Sequence, residues 1–267
     1  MLNPHENSSQ RAQADEAARV PHGQRIYAIG DIHGRLDLLR HLANAIEADA
    51  QSAPEMETTV LMLGDLLDRG PDSAGVVDFA LDWQKRRRMH ILMGNHEEMF
   101  LNSFTDPGVL SNILRCGGRE TLLSYGIDSD NDSLPTLQHV QAAMDAGIPG
   151  KHRKFIASFD DKVEIGDYLF VHAGIEPGLP VEQQKPQSLR WIREPFLSYE
   201  EPHSHVIVHG HTIRHQVQLR SNRIGIDTGA YCYGKLTALV LEGSTRRFIQ
   251  AVTHNHEIVT ETCEAIT

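Results

Sequence analysis

Three short apolar runs, RIYAIG (25–30), TTVLMLG (58–64) and RMHILMG (88–94), each end in a polar turn that leads into a helical pattern. After the first, Leu36, Leu39, Leu42, Ala43 and Ile46 recur at helical spacing; after the second, Val76, Phe79, Ala80 and Trp83 do; the third is followed by NHEEMFLNSF. A strand that runs into a helix before the next strand begins cannot close a tight hairpin. It pairs in parallel with its successor through a crossover. The order therefore predicts an α/β fold, and in such sheets ligands sit at the carboxyl ends of the strands. All three polar turns fall there.

The remaining chain is read around this frame. Residues 98–160 carry helical stretches, Gly117 and Gly118, and the turn-rich GIDSDNDSLP (126–135), which together predict a helical insert or cap. From Tyr168 onward YLFVHAG, HVIVHGH, RIGIDTGA, KLTALVLE and RFIQAV follow one another with short turns, predicting a second sheet packed on the first. Residues 1–22 are polar and read as a disordered tail, residues 23–255 as one domain, and 256–267 as a frayed end.

What ends each strand is chemically selective. The first offers Asp31 and His33, the second Asp65, Asp68 and Arg69, the third Asn95 and His96; YLFVHAG adds His172, and HVIVHGH adds His209 and His211. A lone Asp in such a turn is an ordinary helix N-cap, and a lone His an ordinary satisfied polar group. Five strand ends carrying Asp, Asn or His at equivalent places point instead to a shared metal site. Oxygen and imidazole ligands without thiolate suit Mn, Fe or Zn. The number of ligands fits two ions, with Asp65 placed to bridge, and two ions about 3.5–4 Å apart clamp a phosphoryl group.

Composition narrows the alternatives. The formal net charge of −11 excludes the basic surface that an extended nucleic-acid footprint needs. Cys116, Cys232 and Cys263 are odd in number and far apart, so neither a disulfide framework nor a cysteine zinc cluster is expected. No apolar run reaches the length of a membrane helix. These features predict a cytoplasmic location. Lys85, Arg86, Arg87 and Arg88 close a helix and read as its solvated last turn.

The ordered set GDIHG (30–34), GDLLDRG (64–70), GNHE (94–97), VHAG (171–174) and HGHT (209–212), extended by IDTGA (226–230), resembles the calcineurin-like metallophosphoesterases. Within them it is closest to the phosphoprotein phosphatase branch and its small bacterial and phage lambda-phosphatase-like serine/threonine phosphatases. The resemblance implies an α/β/β/α sandwich of two mixed sheets flanked by helices. It implies that Asp31, His33 and Asp65 bind one divalent ion, most naturally Mn, and that Asp65, Asn95, His172 and His211 bind a second. Arg69 would grip the phosphate together with Asn95, His96 and a second arginine. LRWIRE (189–194) resembles the segment that supplies it, which carries over to Arg193, with Arg190 a nearby competitor. His96, held by Asp68, would protonate the leaving group. The attacking group would be a hydroxide bridging the two ions, without a phosphoenzyme.

Two features depart from this pattern. His209 precedes His211 by two positions and so shares its strand face; with Ile213 where related branches have a second histidine, His209 is read as supporting rather than ligating. Tyr231 and Cys232 resemble a loop at the active-site rim, although a turn packing Tyr231 on the sheet explains them equally.

The expected function is hydrolysis of phosphomonoesters, foremost phosphoserine or phosphothreonine in proteins, with a small phosphoester as the other substrate class. The alternative is cleavage of dinucleoside polyphosphates such as diadenosine tetraphosphate, in whose branch the aspartate of DRG is commonly replaced. Asp68 is present here and tilts the expectation toward esters. A non-catalytic binding module would be expected to lose ligands, and here every expected position is filled.

Overall fold

β1 (Gln24–Ile29), β2 (Glu57–Met62) and β3 (Arg88–Ile91) pair in parallel, and α1 (Leu36–Gln51) and α2 (Ser73–Trp83) make the crossovers. The computed structural model describes residues 17–129 and 136–264. Side chains of β1 alternate between two cores, as the period of a strand demands. Tyr27 and Ile29 pack with Leu38, Leu42, Val76 and Trp83 of the helices. Ile26 and Ala28 face the other way, into a core shared with Tyr168, Phe170, Val208 and Ile224. Each such fully buried side chain contributes roughly 1.5–3 kcal/mol.

That second core is the seam between two sheets. The second sheet has the order β4-β5-β6-β8-β7 (Lys162–Ile165, Tyr168–Val171, Val206–His209, Arg223–Gly225 and Gln218–Leu219), with β5, β6 and β8 parallel. Its outer face packs Leu169, Val171 and Ile207 against Leu189 and Phe196, next to α8 (Pro186–Trp191). The expected α/β/β/α sandwich of two mixed sheets is therefore the observed architecture.

One strand assignment differs. KLTALVLE and RFIQAV, expected in the second sheet, are β9 (Lys235–Glu242) and β10 (Thr245–His254) of the first, with β9 antiparallel to β1. Gly229 and Gly234, at φ 73° and 63°, flank the single turn α9 (Ala230–Tyr233) and carry the chain across to β1. Leu236, Ala238 and Val240 then face the helices, and Leu239 and Leu241 the seam.

Both chain ends are more ordered than expected where they are described. Val20 is buried and its N–H donates to the Gly243 carbonyl at 2.9 Å, while Tyr168 donates to the Ala18 carbonyl at 3.0 Å; residues 1–16 lie outside the described residues. At the other end β11 (Glu257–Glu264) pairs with β10. Asn255 and His256, both with positive φ, form the two-residue turn that a right-twisted hairpin favours. β11 is a mostly exposed, polar edge, so it lacks the apolar pattern that marks a strand.

The described residues between 98 and 160 are mostly helical. They hold most of α3 (Asn95–Ser103), then α4 (Pro107–Ile113), α5 (Arg119–Ser124), α6 (Leu137–Gly147) and α7 (Gly150–Ile156). A π-turn, Leu114–Gly118, joins α4 to α5, with Gly117 at φ 107°. Of GIDSDNDSLP, residues 130–135 lie outside the described residues. Among the described residues no helix is long and apolar enough to cross a membrane. Within the basic run 85–88, Lys85, Arg87 and Arg88 pair with Asp82, Glu47 and Glu57.

Candidate metal and phosphate site

The strand ends converge. Asp31 and His33 follow β1, Asp65, Asp68 and Arg69 follow β2, Asn95 and His96 open α3 after β3, and His172 and His211 follow β5 and β6. Seven non-glycine residues among those described have positive φ, and five of them are His33, Asp65, Asp68, Arg69 and His211. Such backbone strain persists only where surrounding contacts over-determine it. Two glycines show how tight those contacts are. A Cβ at Gly94 would lie 2.2 Å from Asp65 Oδ1, and one at Gly210 would lie 2.0 Å from Asp31 Oδ1.

The tautomers follow from carbonyl partners, which can only accept. His33 Nδ1 donates to the Leu67 carbonyl at 2.7 Å, and His172 Nδ1 donates to the Leu63 carbonyl at 2.8 Å. Both rings therefore present a bare Nε2 lone pair to the site. His172 Nε2 lies 3.0 Å from Asn95 Oδ1 and 3.4 Å from Asp65 Oδ1, and His33 Nε2 lies 3.6 Å from Asp65 Oδ2. The two oxygens of Asp65 thus face different rings. Ligand atoms of Asp65, His172 and His211 lie within 4.8 Å of one another, and so do those of His33, Asp65 and His96. Around Asp65, Asn95, His172 and His211 these lone pairs converge with no hydrogen between them, and they repel unless a cation is shared.

Burial and unmet partners carry the same message. His211 Nε2 and Asp227 Oδ2 are buried without a hydrogen-bond partner. Burial pushes His33 and His211 down to about 3 and lowers His172 as well, so all three are neutral donors at pH 7. Asp65 is also buried, yet His172, His96, His33 and His211 hold its carboxyl below the usual range. Asp31 and Asp227 go the other way. Burial, then the charges of Asp227 and Asp65, raises Asp31 well above the ordinary carboxylate range, and burial with the charge of Asp65 raises Asp227 to about 7. Oxygen and neutral nitrogen donors crowded in this way fit divalent cations of the Mn, Fe, Zn class. Asp31 belongs to neither close triple; its two oxygens accept the His211 N–H at 3.1 and 3.0 Å.

Beside these donors stands a second constellation. His96 Nδ1 donates to Asp68 Oδ2 at 2.6 Å. Burial works against a charged His96, but Asp65 and Asp68 outweigh it and raise its pKa. Arg69 Nη1 donates to His33 Nε2 at 2.9 Å, its Nη2 lies 3.0 Å from His96 Nε2, and its guanidinium lies 4.7 Å above the Tyr231 ring. Tyr231 also meets His33 edge-on at 5.3 Å. Cys232 is exposed and donates weakly to the Gly229 carbonyl.

The two arginines of LRWIRE separate cleanly. Arg190 is committed to Asp161 and Glu98 at 2.9 and 2.8 Å. Arg193 is exposed, and its charge reaches His172 and His211. His209 faces away: its Nε2 accepts from Arg223 at 3.4 Å and its ring meets Phe196, consistent with a supporting role.

Three supporting residues escaped the sequence reading. Glu97 accepts the N–H groups of Asp65, Leu66, Leu67 and Gly94, tying the second strand end to the third. Thr121, in the helical insert, donates to Asp68 Oδ1 at 2.6 Å and accepts the Asp68 N–H. Asp227 faces Asp31. Glu97 and Asp227 sit inside motifs that had been noted, GNHE and IDTGA. Thr121 carries no local signal.

A profile of the family described as calcineurin-like phosphoesterase matches residues 24–240. The chain belongs to this family. Among curated relatives it is similar to two proteins named symmetrical bis(5'-nucleosyl)-tetraphosphatase. The one from Nitrosospira multiformis is 26% identical over 164 residues, 59% of this chain and 46% of that one. The one from Proteus mirabilis is 30% identical over 151 residues, 57% of this chain and 45% of that one. The match spans about half the length of these relatives. The cold-active protein-tyrosine phosphatase of a psychrophilic Shewanella shares the fold, with a TM-score of 0.52 and 19% identity over 92% of this chain and 82% of that one.

Proposed function

We propose that this calcineurin-like phosphoesterase hydrolyses dinucleoside polyphosphates of the diadenosine tetraphosphate class. The observation that carries this reading is the shared name of the curated relatives, symmetrical bis(5'-nucleosyl)-tetraphosphatase. It displaces phosphoserine or phosphothreonine in proteins, which the resemblance to the phosphoprotein phosphatase branch places first.

In this reading His33, Asp65 and Asp31 hold one divalent ion, and Asp65, Asn95, His172 and His211 hold the other. When bound, the ions supply charge neutralisation at the phosphate and an activated water. Arg69 and Arg193 bind phosphate oxygens in a planar fork. His96 holds a proton at Nε2 for the departing oxygen, and Asp68 fixes its orientation from Nδ1. Manganese is the metal proposed.

A second reading keeps its place because of one observation. The hydrogen bond between His96 and Asp68 is fully built, with Thr121 donating to the other carboxylate oxygen and Ser73 accepting the Asp68 N–H. A proton donor of this kind matters most for an alkoxide leaving group, as in a phosphomonoester.

The test compares kcat/KM of metal-loaded protein on diadenosine tetraphosphate, a phosphothreonine peptide and p-nitrophenyl phosphate, with Mn and with Zn. Preference for the dinucleotide, with ADP as product, is expected. Preference for the peptide would overturn the first reading in favour of the second.

A further inference from the structure

α3 begins in the site with Asn95 and His96 and then leaves it. At about 1.5 Å per residue, Met99 lies about 6 Å and Asn102 about 10 Å along the axis from Asn95. At that distance a groove of about 370 Å³ opens between α3, α4 and the end of α8. Met99, Val109 and Trp191 give it apolar surface, and Asn102, Asn112 and Gln187 give it three carboxamides. The indole is anchored by its polar edge. Trp191 Nε1 donates to Glu98, whose other oxygen accepts from Arg190, itself held by Asp161. With Nε1 committed, the ring has only apolar surface left to offer. No lysine or arginine lines the groove, so it does not suit a phosphate.

We infer that this groove is the subsite for one nucleobase of the substrate, most naturally a purine, whose phosphates lie at the strand ends. The inference rests on the proposed dinucleotide reading. An aromatic side chain is sequence-tolerant toward bases because every base has a π-face, and a carboxamide pairs a donor with an acceptor as a purine edge does. α3 joins the two places, with Asn95 and His96 in the site and Met99 and Asn102 at the groove. The groove's volume also falls in the range of small-molecule sites. Asn112 also donates to Met99 Sδ at 3.6 Å, so Asn102 and Gln187 are the carboxamides that face a ligand edge beside the indole.

The chain has two tryptophans, and Trp83, the last residue of α2, is buried, so ligand-dependent emission reports Trp191. AMP titrated into the metal-loaded protein should quench this emission, and ribose 5-phosphate, which has no base, should not. The kcat/KM ratio of diadenosine tetraphosphate to p-nitrophenyl phosphate should fall about 5- to 150-fold in Trp191→Ala, the range of one base stack. It should fall less in the double variant Asn102→Ala, Gln187→Ala, which leaves the core untouched. If the dinucleotide is hydrolysed and both variants keep the wild-type ratio, the subsite is wrong and the dinucleotide reading stands. If the dinucleotide is not hydrolysed yet AMP still quenches, the subsite stands and the substrate reading falls. A phosphopeptide whose affinity drops in both variants, with AMP silent, would overturn the assignment of the groove to a base.

Discussion

The contact between Gly94 and Asp65 sets up a sharp test of how rigid the site must be. A methyl group at residue 94 would sit 2.2 Å from Asp65 Oδ1, 2.5 Å from Asp65 N and 2.6 Å from Glu97 Oε2. Ordinary carbon contacts lie near 3.5–4 Å, so something must move by about 1 Å. Asp65 cannot simply rotate aside. Its N–H donates to Glu97 at 2.8 Å, and its Oδ1 accepts the His96 N–H at 3.1 Å. Gly94→Ala should therefore push the second and third strand ends apart. Overpacking of this kind costs about 1–3 kcal/mol, which a domain of this size survives, whereas a 1 Å misplacement of a reacting group costs about 100-fold in rate. Gly150→Ala is the control: nothing lies within 4 Å of its Cβ, it opens α7, and its φ is not left-handed. That change should be neutral or slightly stabilising. The assays are thermal unfolding, calorimetric Mn titration and turnover of p-nitrophenyl phosphate. A folded Gly94→Ala protein with turnover within threefold of wild type would refute the argument that this contact fixes Asp65.

Four further outcomes are expected. His96→Asn should retain both metals but lose about 10²- to 10⁴-fold on alkyl phosphates and much less on p-nitrophenyl phosphate, whose leaving group needs little protonation; equal losses would contradict the proton-donor role. Asp65→Asn should lower Mn stoichiometry at both positions in a calorimetric titration, and loss at one position alone would argue against bridging. Arg193→Ala should raise the inhibition constant for inorganic phosphate, whereas Arg190→Ala should chiefly lower the melting temperature because it breaks the ties to Asp161 and Glu98; the reverse pattern would exchange the two assignments. Burial opposes ionisation of Asp49, but Arg247, Tyr27 and Arg25 hold its pKa below the usual value. The stability it contributes is present above about pH 4 and lost as pH falls through the lower, folded-state value. The difference in melting temperature between wild type and Asp49→Asn should therefore be larger at pH 7 than at pH 3, and a constant difference would show that the charge is not its source.

The parts of the molecule legible in the sequence are those written locally. Period and turn chemistry place β1, β2, β3 and their helices, and the residues that end a parallel strand are bound to face one edge, so Asp31, His33, Asp65, Asn95, His172 and His211 could be grouped before any pairing was known. Pairings between distant segments were not legible. β9 is as apolar as β5, and nothing in its own residues says that it returns to β1. The insert was the least legible, and for an instructive reason. Its own pattern says only that it is a helical insert or cap, whereas Gly117 accepts the Arg69 N–H at 2.9 Å, and Thr121 holds Asp68 on both its backbone and its side chain. A Cβ at Gly117 would lie 2.6 Å from Arg69 Cγ, so the π-turn is pressed against the strained DRG loop. Glycine and threonine are common in helical segments, and only their distant partners give them this role. The same helices, α3 and α4, that lead into this buttress also wall the groove with Trp191. Substrate choice and the posture of Asp68 and Arg69 are thereby carried by one structural unit. A substitution that reshapes the groove from within its core will shift the phosphate site as well, while one on the exposed carboxamides will change recognition alone.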